Sequence, residues 1–311
     1  MGKTALLFSG QGSQFVGMSK ELSEKFPKSA QVYECGSDVL GFDLKKLMLD
    51  GPEEQLNRNS QPAILAASLI GLTALSELGR TDVSAVAGHS LGEYAALTAA
   101  GVLDTESAFR LIKLRSDAMM EVADSGGTSG MAAVIGAAPD IIEEACAQVR
   151  ESGKYVVPVN YNSPAQTVIA GTAEGLAAVE PILKEKKAKR FVKLNVTAAF
   201  HSAVMQPAAD KFKAGAAGFT FKAPNITFFS NLYGDDISKH ITDFSLLPEY
   251  LAKHIVSPVK FTAELAAMSA AGVDRFIELG AGKVLTGFVK KTLSDVTAVS
   301  LVDAADAEAF A

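Results

Sequence analysis

The chain has no tryptophan, two cysteines and four histidines in 311 residues. Neither Cys35 nor Cys146 belongs to a C-x-x-C pair. That excludes a disulfide framework and points to two reduced thiols in a reducing compartment. H-E-x-x-H, paired C-x-x-C and aspartate-rich loop patterns are also missing, so no metal site is expected. Lys and Arg number 29 against 35 Asp and Glu, a net charge of −6, which argues against general nucleic-acid binding. No apolar run is long enough for a membrane span. The longest, residues 62–78, contains Ser68, Gly71, Thr73 and Ser76 and reads as a buried helix. The first apolar run, residues 5–8, is too short for a signal peptide. These absences predict a cytoplasmic protein with no nucleic-acid or membrane partner, and a monomer is the expected state.

Hydrophobic residues make up 48 % of the chain, enough for a substantial core. Residues 5–8 read as a buried strand, followed by the loop Ser9-Gly10-Gln11-Gly12-Ser13-Gln14. Helical patterns cover 21–39, 44–49 and 62–78, and a second strand covers 82–87. Two helices follow, one behind Ser90 and one over 105–122 with Asp104 or Thr105 as its N-cap. Ser125-Gly126-Gly127-Thr128-Ser129-Gly130 is the clearest linker. Beyond it the order is strand 131–136, helix 139–150, strands 155–161 and 166–171, helix 173–187 and strand 190–196. That βαββαβ order is the ferredoxin-like plan. Alternation resumes with helices 201–214, 246–254, 261–271 and 284–293 and strands 226–230, 275–279 and 296–301, ending in an Ala-rich tail expected to fray from Ala304. The fold expected is α/β. Residues 1–127 and 197–311 form a hydrolase-like large subdomain with a mostly parallel sheet, and residues 128–196 form a small ferredoxin-like insert.

Gly88-His89-Ser90-Leu91-Gly92 lies between the second strand and a helix, the G-x-S-x-G arrangement that exposes a serine beside the first N–H groups of a helix. Ser90 needs a base, because a hydroxyl is a poor nucleophile near neutral pH. Of the four histidines, His89 should point away from the elbow's active face, His240 lies in a polar loop, and His254 ends a helix where a cap explains it. His201 opens a helix downstream of the serine and is the best base available. No spacing selects an acidic third member, and a backbone carbonyl serves equally to orient the imidazole. Arg115 borders the apolar stripe Leu111, Leu114 and Ala118. It reads either as a snorkelling arginine or as a buried guanidinium that grips a substrate carboxylate. The Gly10–Gly12 loop fails the dinucleotide fingerprint, since Phe15 stands at the third glycine position. It reads better as a donor loop, with the Gln11 and Leu91 N–H groups forming an oxyanion hole. Lys184–Arg190 and, more weakly, Lys290-Lys291 are basic patches able to meet an acidic partner.

With these residues together, the chain resembles the malonyl-CoA:acyl carrier protein transacylases of bacterial type II fatty acid synthesis, over almost its whole length. The resemblance rests on Phe8-Ser9-Gly10-Gln11-Gly12-Ser13-Gln14, Gln61-Pro62-Ala63, Gly88-His89-Ser90-Leu91-Gly92-Glu93-Tyr94, Leu114-Arg115, Phe200-His201-Ser202 and Glu278-Leu279-Gly280-Ala281-Gly282-Lys283-Val284-Leu285. It implies that Ser90 carries the acyl group, His201 is base and then acid, Arg115 binds the malonyl carboxylate, and Gln11 and Leu91 hold the oxyanion. Gln61 and Asn162 would line the substrate cleft, and Phe200 would exclude groups bulkier than malonyl. His254 stands where many members have glutamine, and its backbone carbonyl would orient His201. Malonyl-CoA and acyl carrier protein would be the partners, with no cofactor beyond the CoA and phosphopantetheine that the substrates carry. A serine hydrolase or thioesterase, a polyketide acyltransferase and a non-catalytic carrier-docking module are the competing readings.

Overall fold

A strand covered by helices on both faces is apolar at consecutive positions, whereas a half-exposed strand alternates. Ala5 to Phe8 and Ala85 to Gly88 obey the first rule: all eight residues are buried. The computed structural model describes residues 2–125, 128–196 and 198–309. The described strands are β1 (Lys3–Phe8), β2 (Ala85–Gly88), β3 (Ser129–Ile135), β4 (Val156–Ser163), β5 (Gln166–Thr172), β6 (Arg190–Lys193), β7 (Thr227–Ser230), β8 (Asp235–Asp236), β9 (Val273–Leu279) and β10 (Thr297–Leu301).

The chain divides into two units. The first comprises Met1–Ser116, Phe219–Ser245 and Glu264–Ala311. Its sheet has the order β10-β9-β1-β2-β7-β8, parallel throughout except for the short edge strand β8. The helix Ser60–Glu77 is buried at every position from Ser60 to Gly71, as expected for a helix apolar all round. From β1 the chain builds outward through β2 and β7, then returns on the other side with β9 and β10. Loops at the carboxyl ends of strands beside such a reversal are where open α/β sheets bind ligands. The Gly10–Gly12 loop follows β1, and Ser90 follows β2.

The second unit comprises Asp117–Gly218 and Leu246–Ala263. Its antiparallel sheet has the order β4-β5-β3-β6, and the helices Pro139–Glu151 and Ala173–Glu185 complete the ferredoxin-like βαββαβ unit. Ala132, Val134, Ile142, Ala145, Cys146, Val149, Ile169, Val179 and Leu183 form part of its core. Burial there pushes the Cys146 thiol up to about 12.

This unit is wider than the expected 128–196 segment, and local hydrogen bonds give the reason. Ser129 Oγ accepts the Ala199 N–H at 3.2 Å, the Tyr155 hydroxyl accepts the Ala203 N–H at 3.1 Å, and Tyr161 N–H donates to the Val259 carbonyl at 2.9 Å. The segments around His201 and His254 therefore belong with the small sheet. Thr197, where the large subdomain was expected to resume, and Gly126 and Gly127 of the expected linker lie outside the described residues.

Several local expectations change: the helix expected over 21–39 is interrupted at Phe26 and Pro27, giving helices Lys20–Lys25 and Ala30–Leu40, and the strand expected over 82–87 begins only at Ala85. The helix expected over 201–214 begins at Gln206, after a capped turn over Ala203–Met205, because Pro207 fits only the first turn of a helix. β6 stops at Lys193, not at Val196. The tail does not fray at Ala304: Ala304–Glu308 is helical, Asp303 accepts the Asp306 N–H at 2.7 Å, and Lys25–Glu308 and Lys283–Asp306 ion pairs pin it. Among the described residues no helix is long and apolar enough to cross a membrane.

The elbow depends on two glycines. A Cβ on Gly88 would lie 2.0 Å from the Gly92 backbone carbon, and one on Gly92 would lie 2.2 Å from the Phe8 carbonyl oxygen. Gly88→Ala should cost about 3 kcal/mol or more, since backbone must give way. Gly287→Ala, in a helix with open space around it, should instead stabilise by about 0.5–1 kcal/mol. Urea midpoints of the two variants check both signs.

Candidate active site

Ser90 sits between β2 and the helix Gly92–Ala99 with φ 55, a left-handed conformation that a serine adopts at a cost of about 1–2 kcal/mol. Its own N–H is tied down, donating to Asn231 Oδ1 at 2.7 Å. Neither the Leu91 N–H nor the Gln11 N–H has a protein acceptor among the described residues. The loop carrying Gln11 is close to the elbow, because a Cβ on Gly10 would meet His89 Nδ1 at 2.8 Å.

Arg115, in the helix Thr105–Asp124, is only 1 % exposed, which excludes the snorkelling reading. Its Nη2 donates to Ser90 Oγ at 3.0 Å, its Nη1 donates to Gln61 Oε1, and its carbon Cζ lies 6.0 Å from the centre of the Tyr94 ring. Its buried Nε has no acceptor, and no carboxylate pairs with it among the described residues. Burial pushes its pKa below the usual arginine value, while Tyr94 and then the Glu93 charge oppose that shift. A buried guanidinium held by neutral dipoles favours an incoming anion.

Behind the elbow lies a cluster that sequence reading missed. Asn231 Nδ2 donates to the Gly88 carbonyl at 2.6 Å and to Glu264 Oε1 at 2.8 Å, and the Asn231 N–H donates to Glu93 Oε1 at 2.6 Å. All three side chains are fully buried. Burial first, then the Glu93 charge, hold the Glu264 carboxyl well above the usual carboxylate range. Nothing in the spacing of Glu93, Asn231 and Glu264 along the chain links them, since three separate elements bring them together.

In the second unit, buried His201 has φ 59, and its Nδ1 lies 3.2 Å from the His254 carbonyl and 3.1 Å from the Ser257 carbonyl. Carbonyls only accept, so Nδ1 carries the proton and Nε2 the basic lone pair. Ser257 had no sequence signal. The His254 ring is itself buried, 5.2 Å from the His201 ring. Phe200 and Asn162 are buried in this unit, the latter beside a register shift in β4. Ser90, Arg115, Gln61, Gln11 and Leu91 belong to the first unit, and His201, His254, Phe200 and Asn162 to the second. His240 is exposed and stacks on Tyr233 at 4.1 Å, and within the basic run Lys184 and Lys186 pair with Glu180 and Glu144. Among the described residues no group of three or more His, Cys, Asp or Glu is placed to hold a metal.

A strained serine at a strand–helix turn, with unpaired backbone N–H groups near it, is the apparatus of an acyl-transfer enzyme. Residues 5–308 match the family described as acyl transferase domain. The malonyl CoA-acyl carrier protein transacylase of Escherichia coli (strain K12) is 39 % identical over 97 % of this chain and 96 % of that protein. The transacylase of Bacillus subtilis (strain 168) is 37 % identical over 97 % and 94 %. A crystal structure of an acyl carrier protein S-malonyltransferase from Vibrio cholerae superposes with a TM-score of 0.93 at 40 % identity, covering 99 % of this chain and 100 % of that one. A malonyl-transacylase in complex with a type II polyketide acyl-carrier protein matches with a TM-score of 0.93 at 38 % identity, covering 99 % and 98 %. The chain is an acyltransferase and belongs to the malonyl CoA-acyl carrier protein transacylase family.

Two outcomes follow from the geometry. If His254 acts on His201 through its main-chain carbonyl, His254→Gln should keep acyl-transfer activity within about threefold, because the carbonyl survives. A neutral Glu264 binds its proton more tightly in the folded than in the unfolded chain, where the carboxyl titrates near 4.3. Its stabilising contribution is complete below that value and is lost as pH rises through the higher folded value. Glu264→Gln should lack this component, so its melting temperature relative to wild type should rise as pH increases above about 4.3.

Proposed function

We propose that this enzyme transfers the malonyl group of malonyl-CoA to the phosphopantetheine thiol of acyl carrier protein, supplying fatty acid synthesis. The observation that carries the choice of cargo is Arg115, a buried cation with no carboxylate partner among the described residues and 3.0 Å from the Ser90 hydroxyl. The malonyl carboxylate supplies the missing counter-charge and an acceptor for Nε.

In this reading Ser90 Oγ attacks the thioester carbonyl and gives its proton to His201 Nε2. The tetrahedral oxyanion is held by the Gln11 and Leu91 N–H groups, each contributing about 3–4 kcal/mol. The carbon–sulfur bond breaks, CoA leaves with the proton from His201, and an O-malonyl ester remains on Ser90. The carrier thiol then attacks that ester, with His201 taking its proton and returning it to Ser90. Nδ1–H bonded to two carbonyls keeps the imidazole in the tautomer this needs. Gln61 holds the guanidinium, and the family resemblance assigns Phe200 and Asn162 to substrate binding. The reaction needs no resident cofactor, because both acyl carriers bring their own thiols.

Intact mass spectrometry after mixing with malonyl-CoA should show one malonyl adduct, absent in Ser90→Ala. Rapid release of free malonate without carrier protein would favour a hydrolase instead. Arg115→Ala should lower kcat/KM for malonyl-CoA by roughly 10- to 150-fold, matching about 1.5–3 kcal/mol for a hydrogen bond to a charged group, with a smaller loss for acetyl-CoA. Equal losses for both substrates would remove Arg115 from the selective role.

A further inference from the structure

The reaction needs Ser90 at a backbone angle that serine avoids, and one side chain from outside the elbow meets both ends of the turn. Asn231 follows β7. Its Oδ1 accepts the Ser90 N–H at 2.7 Å, and its Nδ2 donates to the Gly88 carbonyl at 2.6 Å. Gly88 and Ser90 flank His89, so a single amide bridges the bend. Its orientation is fixed, because a backbone N–H only donates and a carbonyl only accepts. The second Nδ2 hydrogen goes to Glu264 Oε1 at 2.8 Å, and the Asn231 N–H goes to Glu93 Oε1 at 2.6 Å. Every polar atom of the side chain is thus used, in a fully buried setting where each bond is costly to lose.

The two carboxyls differ. Glu93 lies in the helix that starts at the elbow, and its charge is felt by Arg115. Among the described residues Glu264 Oε2 is buried with no partner, and burial first, then the Glu93 charge, raise the pKa of that carboxyl and favour its neutral form. A neutral acid can accept from Asn231 without adding a second buried negative charge.

We propose that Asn231 is the positioning residue of the nucleophile elbow: anchored by Glu93 and Glu264, it holds Ser90 in its left-handed conformation, aims Oγ at Arg115, and leaves the Leu91 N–H as the elbow's open donor. This rests on the reading that Ser90 carries the acyl group. Asn231 touches no substrate in this account. Its effect is exerted through the backbone of Ser90, so it governs the rate of acylation and leaves cargo binding to Arg115.

The test is single-turnover formation of the malonyl adduct across a range of malonyl-CoA concentrations. Asn231→Ala should lower the saturating rate about 100-fold, the scale of a small misplacement of a reacting group. The half-saturating concentration should stay within about threefold of wild type. A saturating rate within about threefold of wild type overturns the proposal. Glu264→Leu, which removes the acceptor for Asn231 Nδ2, should slow acylation, whereas Glu264→Gln, which keeps a neutral acceptor, should stay within about threefold of wild type; a wild-type rate for Glu264→Leu overturns the anchoring role given to Glu264. Should Asn231→Ala not fold, the pair Asn231→Asp and Asn231→Asp/Glu264→Gln decides. The first loses both Nδ2 donors, to the Gly88 carbonyl and to Glu264, and should acylate at least roughly tenfold slower than wild type; the second restores only the contact at position 264, from the other side, and should recover part of that loss. An Asn231→Asp rate within about threefold of wild type overturns the proposal, and no recovery in the double variant overturns the anchoring role given to Glu264. A wild-type adduct on a residue other than Ser90 would instead overturn the functional reading beneath it, whereas an adduct on Ser90 with unimpaired variants would remove the positioning role alone.

Discussion

A buried guanidinium that no carboxylate contacts among the described residues is the feature on which the proposed specificity depends. Arg115 is as buried as the phenylalanines of the core, yet amide, hydroxyl and aromatic dipoles surround its guanidinium in place of a carboxylate. Removing a guanidinium from water is expensive, and neutral dipoles compensate only in part. The deficit is met when an anion arrives, which makes the interaction selective: an acyl group without a terminal carboxylate leaves the cation as it was. The same group reaches Ser90 Oγ at 3.0 Å, so in the proposed reading cargo recognition and the reacting atom share one side chain.

The imidazole is governed by simpler means. Two carbonyls, those of His254 and Ser257, accept from His201 Nδ1 and fix its tautomer without a third charge. This accounts for the failure of any acidic residue to stand out as the third member of a triad. An orienting carbonyl belongs to the main chain and leaves no mark on the sequence, so the side chain at position 254 does not decide this contact.

Much of the architecture was legible because its signals are local. The consecutive apolar residues of β1 and β2, the Gly-x-Ser-x-Gly turn and the βαββαβ alternation each state their structure within a few residues. The glycines at 88 and 92 are required by close backbone approach, which is why that motif reads so clearly. The start of the helix after His201 was misplaced although Pro207 carried the signal. The C-terminal helix was underestimated because its anchors, Lys25 and Lys283, lie elsewhere in the chain. Asn231 and Glu264 were invisible for the same reason: their roles arise only when β7 and the helix Phe261–Ala270 meet behind the elbow. Arg115 lay between these cases, since its type and spacing allowed either a solvated or a buried guanidinium, and only burial decided.

The central claim is that the cargo is chosen by charge at Arg115. It is tested most directly by comparing the rate of Ser90 acylation from malonyl-CoA with that from malonamyl-CoA, whose terminal carboxamide has the shape of a carboxylate without its charge. The account predicts at least a roughly tenfold slower acylation by the amide, the lower end of what a hydrogen bond to a charged group is worth. Equal rates would contradict it.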